Sequence, residues 1–196
     1  MPDERGYLPK EYWDKQNAEE YSKSSAIEKT QKKMAKRCIQ LLDGKKGKTL
    51  DIGCGSGFSL DILNKKDYNS IGMDISEAML EIAHNRRHGR LIKGNFKNIP
   101  FKDSSFDVVI SISTLQWIKA TNLNEIRKEY GKAASEIFRV LKREGKAAIQ
   151  FYPETEGEYK EASNMFKRTG FEGKIVIDKE KSPKKADKKY LILEKK

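Results

Sequence analysis

The stretch "LDIGCGSGFSLDIL", residues 50–63, places three glycines between two apolar runs. The run that leads into the turn, residues 48–53, has the length and apolar content of a short buried strand, and the run after it has helical spacing. Gly53, Gly55 and Gly57 permit positive φ angles and let the backbone approach a ligand closely. The stretch therefore predicts a strand, a tight ligand-binding turn and a helix.

Strands and helices alternate along the rest of the chain in the same way. The predicted strands cover residues 48–53, 69–74, 90–94, 106–112, 146–153, 174–178 and 189–194. The predicted helices cover residues 58–66, 76–86, 124–145, with Gly145 as the stop signal, and 156–169. This order predicts an α/β, Rossmann-like fold. Its seven-stranded, mostly parallel sheet has helices on both faces and binds ligands at the carboxyl ends of the strands.

We expect one domain over residues 1–196, because this length suffices for a single core. Residues 1–47 form a helical segment over the mouth of the ligand site, and residues 48–196 form the Rossmann-like core. No run approaches the roughly 18 apolar residues of a membrane span, and the N-terminus lacks the apolar segment of a secretory signal. Cys38 and Cys54 have no metal-ligand spacing and suit a reducing cytoplasm.

The net charge of +11 is unevenly distributed along the chain. Residues 29–48 contain eight Lys or Arg against one acid, residues 174–196 contain nine Lys against four acids, and residues 86–93 add four basic residues. Such runs fit a polyanionic partner whose phosphates contribute salt-dependent affinity. A lysine-rich solvated surface explains the same composition without a nucleic acid.

Two aspartates accompany the glycine turn. Asp51 lies before it within the strand, and Asp74 ends the next strand, where a carboxylate can accept hydrogen bonds from both hydroxyls of a ribose. The glycine spacing is G-x-G-x-G, whereas dinucleotide-binding folds use G-x-G-x-x-G. The whole pattern is therefore more specific than the glycines alone and favours a ribose-containing ligand.

The segments "LDIGCGSG" and "GMDIS" resemble the cofactor site of class I S-adenosylmethionine (AdoMet) methyltransferases. The resemblance implies AdoMet as cofactor, with Asp51 and the glycines at its amino-acid end and Asp74 at its ribose. Further cofactor contacts are implied for Cys54, Ile75, Asn95 and Phe96. Asn95 replaces the acid that this class often places near the adenine amine, and Phe96 either packs on the adenine ring or belongs to the core. No metal is expected.

The residues at the end of the fourth strand limit the kinds of methyl acceptor that the enzyme can use. Enzymes that methylate an exocyclic base amine usually follow this strand with Asn/Asp-Pro-Pro-aromatic, whereas this chain has "SISTLQW" at residues 111–117. Methylation of pyrimidine C5 needs a cysteine nucleophile, and neither cysteine is suitably placed. Guanine N7 attacks with its own lone pair, so proximity and alignment suffice. Several small-molecule acceptors fit the same argument.

A closer resemblance covers nearly the whole chain. The segments "IPFKDSSFDVVISISTLQWI", "AAIQFYP" and "TGFEGKIVIDKEKSPKKADKKYLIL" follow the glycine turn in the order of the eukaryotic small-subunit ribosomal RNA guanine-N7 methyltransferases. The eukaryotic members continue into a long basic tail, whereas this sequence stops at Lys196. The resemblance is therefore closer to an archaeal-type, cytoplasmic relative. It implies small-subunit ribosomal RNA as substrate, with phosphate contacts along residues 29–48 and 184–189.

The same family resemblance implies roles for six further residues. Tyr21 and Ser25 cap the methionine end of AdoMet, and Ser111 lies where the methyl group points. Gln116, Trp117 and Tyr152 position the substrate, and no general base is assigned. Trp117 either stacks on a flipped guanine or anchors the loop that follows it. Tyr152 either forms a wall of the guanine pocket or simply ends a strand.

The family also implies a partner, a small zinc-binding activator that pairs with an edge strand of the sheet. If the strand order is that of the family, residues 90–94 form this edge, with Leu91 and Ile92 at or under the interface. Two other hypotheses stay open: a methyltransferase acting on a quinone or metabolite, and a ribosome-assembly factor whose presence matters more than its catalysis. The basic runs and the C-terminal segment disfavour the metabolite hypothesis.

Overall fold

The computed structural model describes residues 9–87, 89–180 and 186–196, in which seven strands form one sheet. The strands are β1 (Lys48–Ile52), β2 (Asn69–Asp74), β3 (Arg90–Lys93), β4 (Phe106–Ile112), β5 (Leu141–Gln150), β6 (Phe171–Asp178) and β7 (Lys188–Lys195). The helices are α1 (Pro9–Tyr12), α2 (Lys15–Lys23), α3 (Ser25–Leu41), α4 (Phe58–Lys65), α5 (Glu77–Arg87), α6 (Leu123–Val140) and α7 (Glu156–Arg168). A short 3-10 turn covers Leu115–Trp117.

The strand order is β3-β2-β1-β4-β5-β7-β6, and β7 runs antiparallel to both of its neighbours, β5 and β6, whereas the other pairs of described strands are parallel. This topology confirms the prediction of a Rossmann-like, mostly parallel sheet. It also confirms that residues 90–94 supply an edge strand. The order reverses between β1 and β4, where Ile52 pairs with Ser111. Ligands of doubly wound sheets bind beyond the carboxyl ends of the strands at such a switch point.

Two hydrophobic clusters cover the two faces of the sheet. One cluster packs α6 and α7 against it and includes the buried side chains of Phe106, Tyr130 and Phe166. The other packs α3 and α4 against the opposite face and includes Met34 and Tyr190. Burial on both faces explains why the strands are near-continuous apolar runs. No helix of the described residues has the length and apolarity that crossing a bilayer requires.

The N-terminal helices are fixed by caps and one bidentate ion pair. The Ser24 hydroxyl accepts the Ile27 N–H at 3.4 Å and starts α3. Further along α3, the Arg37 guanidinium donates to both Asp178 oxygens at 2.9 Å, which joins this helix to the end of β6. These contacts hold α3 across the sheet beside the switch point.

The sequence prediction for the end of α6 is wrong. The helix ends at Val140, and Leu141 is extended, fully buried and paired with Phe106 in the sheet. Residues 142–145 form a bulge before pairing resumes, and a Cβ on Gly145 would lie 2.7 Å from the Lys142 carbonyl oxygen. This glycine therefore serves a tight bulge rather than a helix stop. The strand also ends at Gln150 and not at residue 153.

Candidate functional site

A cavity of about 390 Å³ opens at the carboxyl ends of β1, β2 and β4, beneath the N-terminal helices. Its size lies in the range of small-molecule and cofactor sites. The structure brings together many of the residues that the sequence predicted. Those that line the cavity are Tyr21, Gly53, Gly55, Asp74, Ile75, Asn95, Phe96 and Trp117.

The other predicted residues lie around the cavity without lining it. Asp51, Cys54 and Ser111 are buried below it, where the Ser111 hydroxyl donates to the Ile52 carbonyl at 3.1 Å. Gly57, with φ of 86°, is the N-cap residue directly before α4, and Ser25 is exposed at the first residue of α3. Gln116 and Tyr152 are linked to each other, because the Tyr152 N–H donates to Gln116 Oε1 at 3.3 Å.

The glycine turn folds tightly against the end of β4. Gly53 has φ of 70°, and a Cβ built on it would lie 2.1 Å from Thr114 Oγ1. The Thr114 hydroxyl donates to the Ile52 carbonyl at 3.1 Å, so moving Thr114 aside would break this hydrogen bond. The Gly53 N–H donates to the Met73 carbonyl at 2.7 Å, which joins the turn to β2. Gly53 is therefore required both by its conformation and by the lack of space.

Asp74 is held in place by backbone N–H groups. Its Oδ2 accepts the Gly55 N–H at 2.8 Å and its Oδ1 accepts the Ser76 N–H at 2.9 Å. Burial raises the pKa of Asp74, although these backbone hydrogen bonds act in the opposite direction. A third backbone hydrogen bond comes from Ile75, and because a carboxylate has about four lone-pair sites, Asp74 can still accept a hydrogen bond from a ligand such as a ribose.

Asp51 lies one layer deeper in the fold. The Ser59 hydroxyl donates to its Oδ2, and the residue is 1% exposed. Burial raises the pKa of Asp51 to about 7, and the negative charge of Asp74 acts in the same direction. The carboxyl group of Asp51 does not line the cavity, so its predicted contact with the amino-acid end of AdoMet stays a prediction.

Asn95 follows β3 and curls back on its own loop. Its Oδ1 accepts the Lys97 N–H at 2.9 Å, which leaves one lone pair on the oxygen that the sequence assigned to the adenine amine. Phe96 lines the cavity and also packs against the core, and its contact with an adenine ring stays a prediction. Arg139 fixes the same loop by donating to the Ile99 and Phe101 carbonyls at 2.9 and 2.7 Å.

Aromatic rings close the cavity from above. Trp13 stands 5.0 Å from Tyr21 and 5.6 Å from Trp117, measured between ring centroids, and Tyr12 lies 5.3 Å from Trp117. All three pairs have the tilted or edge-to-face arrangement that aromatic rings favour. These contacts join the N-terminal segment to the turn after β4 over the open side of the site.

Sequence reasoning missed several lining residues. They include Trp13, Ile52, Met73, Met79, Gly94, Lys97, Ser113, Thr114 and Lys119. Ser113 and Thr114 could have been found, because they lie within the segment after the fourth strand that already held predicted residues. Trp13 is a large aromatic residue in a strongly charged segment, which is a signal for a buried contact, but nothing local indicates where that contact lies.

The residues of the cavity fit AdoMet. Gly55 lines the cavity, and the atom nearest to a Cβ built on it would be Met79 Sδ at 3.9 Å, so this glycine leaves space for a ligand beside Asp74, whose carboxylate can accept a hydrogen bond from a ribose. The rings of Trp13, Tyr21 and Trp117 provide π-faces suited to a positively charged sulfonium. The lining residues therefore suit both the ribose and the sulfonium of AdoMet.

Comparison with known proteins gives the same answer. A family model described as a methyltransferase domain matches residues 50–149. The chain is 39% identical over 199 residues to the 18S rRNA (guanine-N(7))-methyltransferase of Bos taurus, which covers 98% of this chain and 70% of that protein. It is 34% identical to the 18S rRNA (guanine-N(7))-methyltransferase bud23 of Schizosaccharomyces pombe, which covers 95% of this chain and 71% of that protein.

Among solved structures, the fold matches a methyltransferase in complex with the Trm112 methyltransferase activator of Haloferax volcanii. The match has a TM-score of 0.64 at 16% identity and covers 91% of this chain and 98% of that chain. At this identity the match supports the fold alone. Taken with the cavity and the relatives, it leads to one assignment: the chain is an AdoMet-dependent methyltransferase that belongs to the 18S rRNA (guanine-N(7))-methyltransferase family.

Proposed function

We propose that this protein transfers the methyl group of AdoMet to N7 of a guanine in small-subunit ribosomal RNA and acts in ribosome biogenesis. The observation that carries the proposal is that similarity to guanine-N7 methyltransferases extends over nearly the whole chain. It therefore includes the segment after β4 on the acceptor side of the cavity.

The chemistry of the cavity supports an acceptor that needs no deprotonation. Asp74 is the only carboxylate among the described lining residues, and it is held by backbone N–H groups. Guanine N7 carries a free lone pair, so alignment rather than a general base is what the protein must supply.

The aromatic residues have a second use in this reaction. When it is bound, AdoMet supplies a methyl group attached to a positively charged sulfur, and methylation at N7 leaves the positive charge on the purine. The rings of Trp13 and Trp117 both line the cavity and contact each other. Their π-faces stabilise a cation before and after transfer, which a neutral acceptor losing a proton would not need.

A basic face suited to RNA lies on α3. Lys29, Lys33 and Lys36 are exposed and lie three or four residues apart, so they project from one side of the helix. Lys32 instead pairs with Glu28 and Asp61, at 2.6 and 2.8 Å. The exposed lysines are our candidates for phosphate contacts. Of the second predicted run, residues 184 and 185 lie outside the described residues.

The free edge of β3 is our candidate site for a small zinc-binding activator. Leu91 and Ile92 are half-buried on this strand, and Gly94 and Asn95 directly after it line the cavity. A partner strand added here would extend the sheet and fix the loop that borders the cofactor.

The two buried free thiols, Cys38 and Cys54, suit a reducing cytoplasm, which we take as the compartment.

Labelled AdoMet and purified small ribosomal subunits test the proposal. The protein is incubated with them, alone and with the activator, and the labelled nucleotide is mapped. We expect label at N7 of one guanine. Label on a free metabolite and none on RNA would refute the proposal. An Asp74→Ala variant that loses AdoMet binding but still supports ribosome maturation would show that the essential role is in assembly rather than methylation.

A further inference from the structure

Ser113, directly after β4, has an unusual backbone conformation. Its φ is 55°, in the left-handed region that non-glycine residues rarely adopt, and it lines the cavity beside Thr114 and Trp117. Ser104 has nearly the same φ, 52°, but lies exposed in the loop before β4. Strain in a loop can serve the turn alone, whereas strain at a ligand cavity points to a requirement for the side chain.

The Ser113 side chain is held from two other elements. Its hydroxyl hydrogen-bonds to Gln150 Oε1 at the end of β5 at 3.2 Å, and it accepts a hydrogen bond from Gln31 Nε2 of α3 at 3.2 Å. The Ser113 N–H donates to the Gln150 carbonyl at 2.9 Å and lies 3.2 Å from Gln150 Oε1. The residue is therefore fixed in both backbone and side chain.

Gln150 holds Ser113 at a cost to stability. The residue is fully buried, and its Nε2 has no hydrogen-bond partner among the described residues. A buried amide without a partner is destabilising, as is a left-handed serine. Two unfavourable features thus meet at one contact beside the cavity, which a purely structural role does not explain.

The Ser113 hydroxyl can accept one further hydrogen bond. A serine hydroxyl has one donor and two acceptor lone pairs. Its proton is directed to Gln150 and one lone pair accepts from Gln31, so one lone pair is left. That lone pair can only accept, so its partner must be an N–H or O–H of a ligand. Guanine carries such donors, N1–H and the N2 amine, on the edge opposite N7.

We propose that Ser113 contacts the acceptor base by accepting a hydrogen bond from its N–H edge, and that Gln150 and Gln31 are positioning residues that orient this hydroxyl. This inference rests on the proposed function for the identity of the base. It adds the residue that holds the base by the edge opposite N7 and so contributes to binding of the acceptor.

Three variants separate this role from a structural one: Ser113→Ala, Ser113→Gly and Gln150→Met. Ser113→Gly removes the hydroxyl and relieves the strain, and Gln150→Met removes the buried unpaired amide at similar volume. We expect the melting temperatures of these two variants to equal or exceed that of the wild type. We expect all three to raise KM for the RNA about 3- to 10-fold, the range for one neutral hydrogen bond, with kcat and the Kd for AdoMet unchanged.

Ser104→Gly is the matched control, because it relieves the same backbone strain in an exposed loop. It should match or exceed the wild-type melting temperature and leave both kinetic constants unchanged. A wild-type KM for RNA in Ser113→Ala would overturn the inference, as would lower melting temperatures with unchanged KM in Ser113→Gly and Gln150→Met. If the wild type labels a different acceptor, the proposed function fails, and the same variants are measured with that acceptor. Failure of every acceptor to take label from the wild type would overturn both.

Discussion

At the scale of single residues, Asp51 is a buried carboxyl group whose pKa lies far from its ordinary value. It is buried below the glycine turn, with Ser59 donating to it and Asp74 nearby. Burial removes water from the carboxylate and disfavours its charge, which is why its pKa rises to about 7. In the unfolded chain an aspartate titrates near 3.9.

The stability of the cofactor-free protein should therefore depend on pH through this residue. Between about pH 4 and 7 the folded state keeps a proton that the unfolded state has lost, so the free energy of unfolding falls as pH rises, by up to about 1.4 kcal/mol per pH unit. Asp51→Asn should reduce this slope to the part that Asp74 contributes, because burial raises the pKa of Asp74 as well, and should make the protein at least as stable as the wild type at pH 8. Denaturant unfolding at pH 5, 6, 7 and 8 measures it.

Asp107 provides the control for this measurement. It accepts the Lys48 N–H and the Lys142 ammonium at 2.9 Å, and despite partial burial its pKa is lowered. Its contribution to stability is lost only in acid, below the window in question, so Asp107→Asn should lower stability without changing the slope between pH 5 and 7. A flat wild-type profile, or an Asp51→Asn profile with the wild-type slope, would contradict the assignment.

At the scale of elements, Ser76 joins the cofactor side of the sheet to the N-terminal segment. Its N–H donates to Asp74, and its hydroxyl donates to the Trp13 carbonyl at 2.8 Å and accepts the Met79 N–H at 3.2 Å at the start of α5. A second link lies further along α5, where Arg86 donates to the Ser22 hydroxyl at 2.6 Å. The segment that carries Trp13 is thus fixed to the same turn that holds Asp74.

Ser76→Ala should weaken AdoMet binding as well as the helix. Loss of the cap costs about 1 kcal/mol of stability. Loss of the bond to Trp13 frees the segment that covers the cavity, so we expect a Kd for AdoMet about 3- to 10-fold higher by calorimetry. Thr155→Ala is the matched control, because Thr155 caps α7 by accepting the Glu158 N–H at 3.0 Å, and Thr155 does not line the cavity. Equal AdoMet affinity in both variants would disprove the link.

The elements show how far sequence reasoning reaches. Both ends of β4 could be predicted to the residue, because its run of buried apolar side chains is bounded by turns on both sides. The end of α6 could not, because Leu141 gains its burial from pairing with Phe106, which lies 35 positions earlier and leaves no trace in local spacing. The placement of Trp13 against Trp117 depends on chain packing in the same way. Local motifs therefore predict the strands and the glycine turn of the site, whereas the position of the N-terminal segment over the cavity depends on tertiary contacts.

At the scale of the whole molecule, the sheet has two edges of different character. The β6 edge exposes Ile175 and Ile177, which are 48% and 50% exposed. The β3 edge is only four residues long, its Leu91 and Ile92 are half-buried, and it leads directly into the loop that borders the cavity. Exposed apolar area alone would favour β6 as the docking edge, whereas connection to the cofactor site favours β3.

Co-purification with the activator decides between the two edges. If the activator extends the sheet at β3, Ile92→Ser should lower the amount recovered at least tenfold, because the substitution removes apolar contact at the centre of a short interface strand. Ile177→Ser, the corresponding change on β6, should leave recovery unchanged. Circular dichroism and the melting temperature of each free variant show whether Ile92→Ser still folds. Co-expression should also raise the yield of soluble wild type and its affinity for AdoMet, because a strand paired to β3 holds the Asn95 loop in place. Loss of recovery with Ile177→Ser and retention with Ile92→Ser would move the interface to β6 and separate activator binding from the cofactor loop.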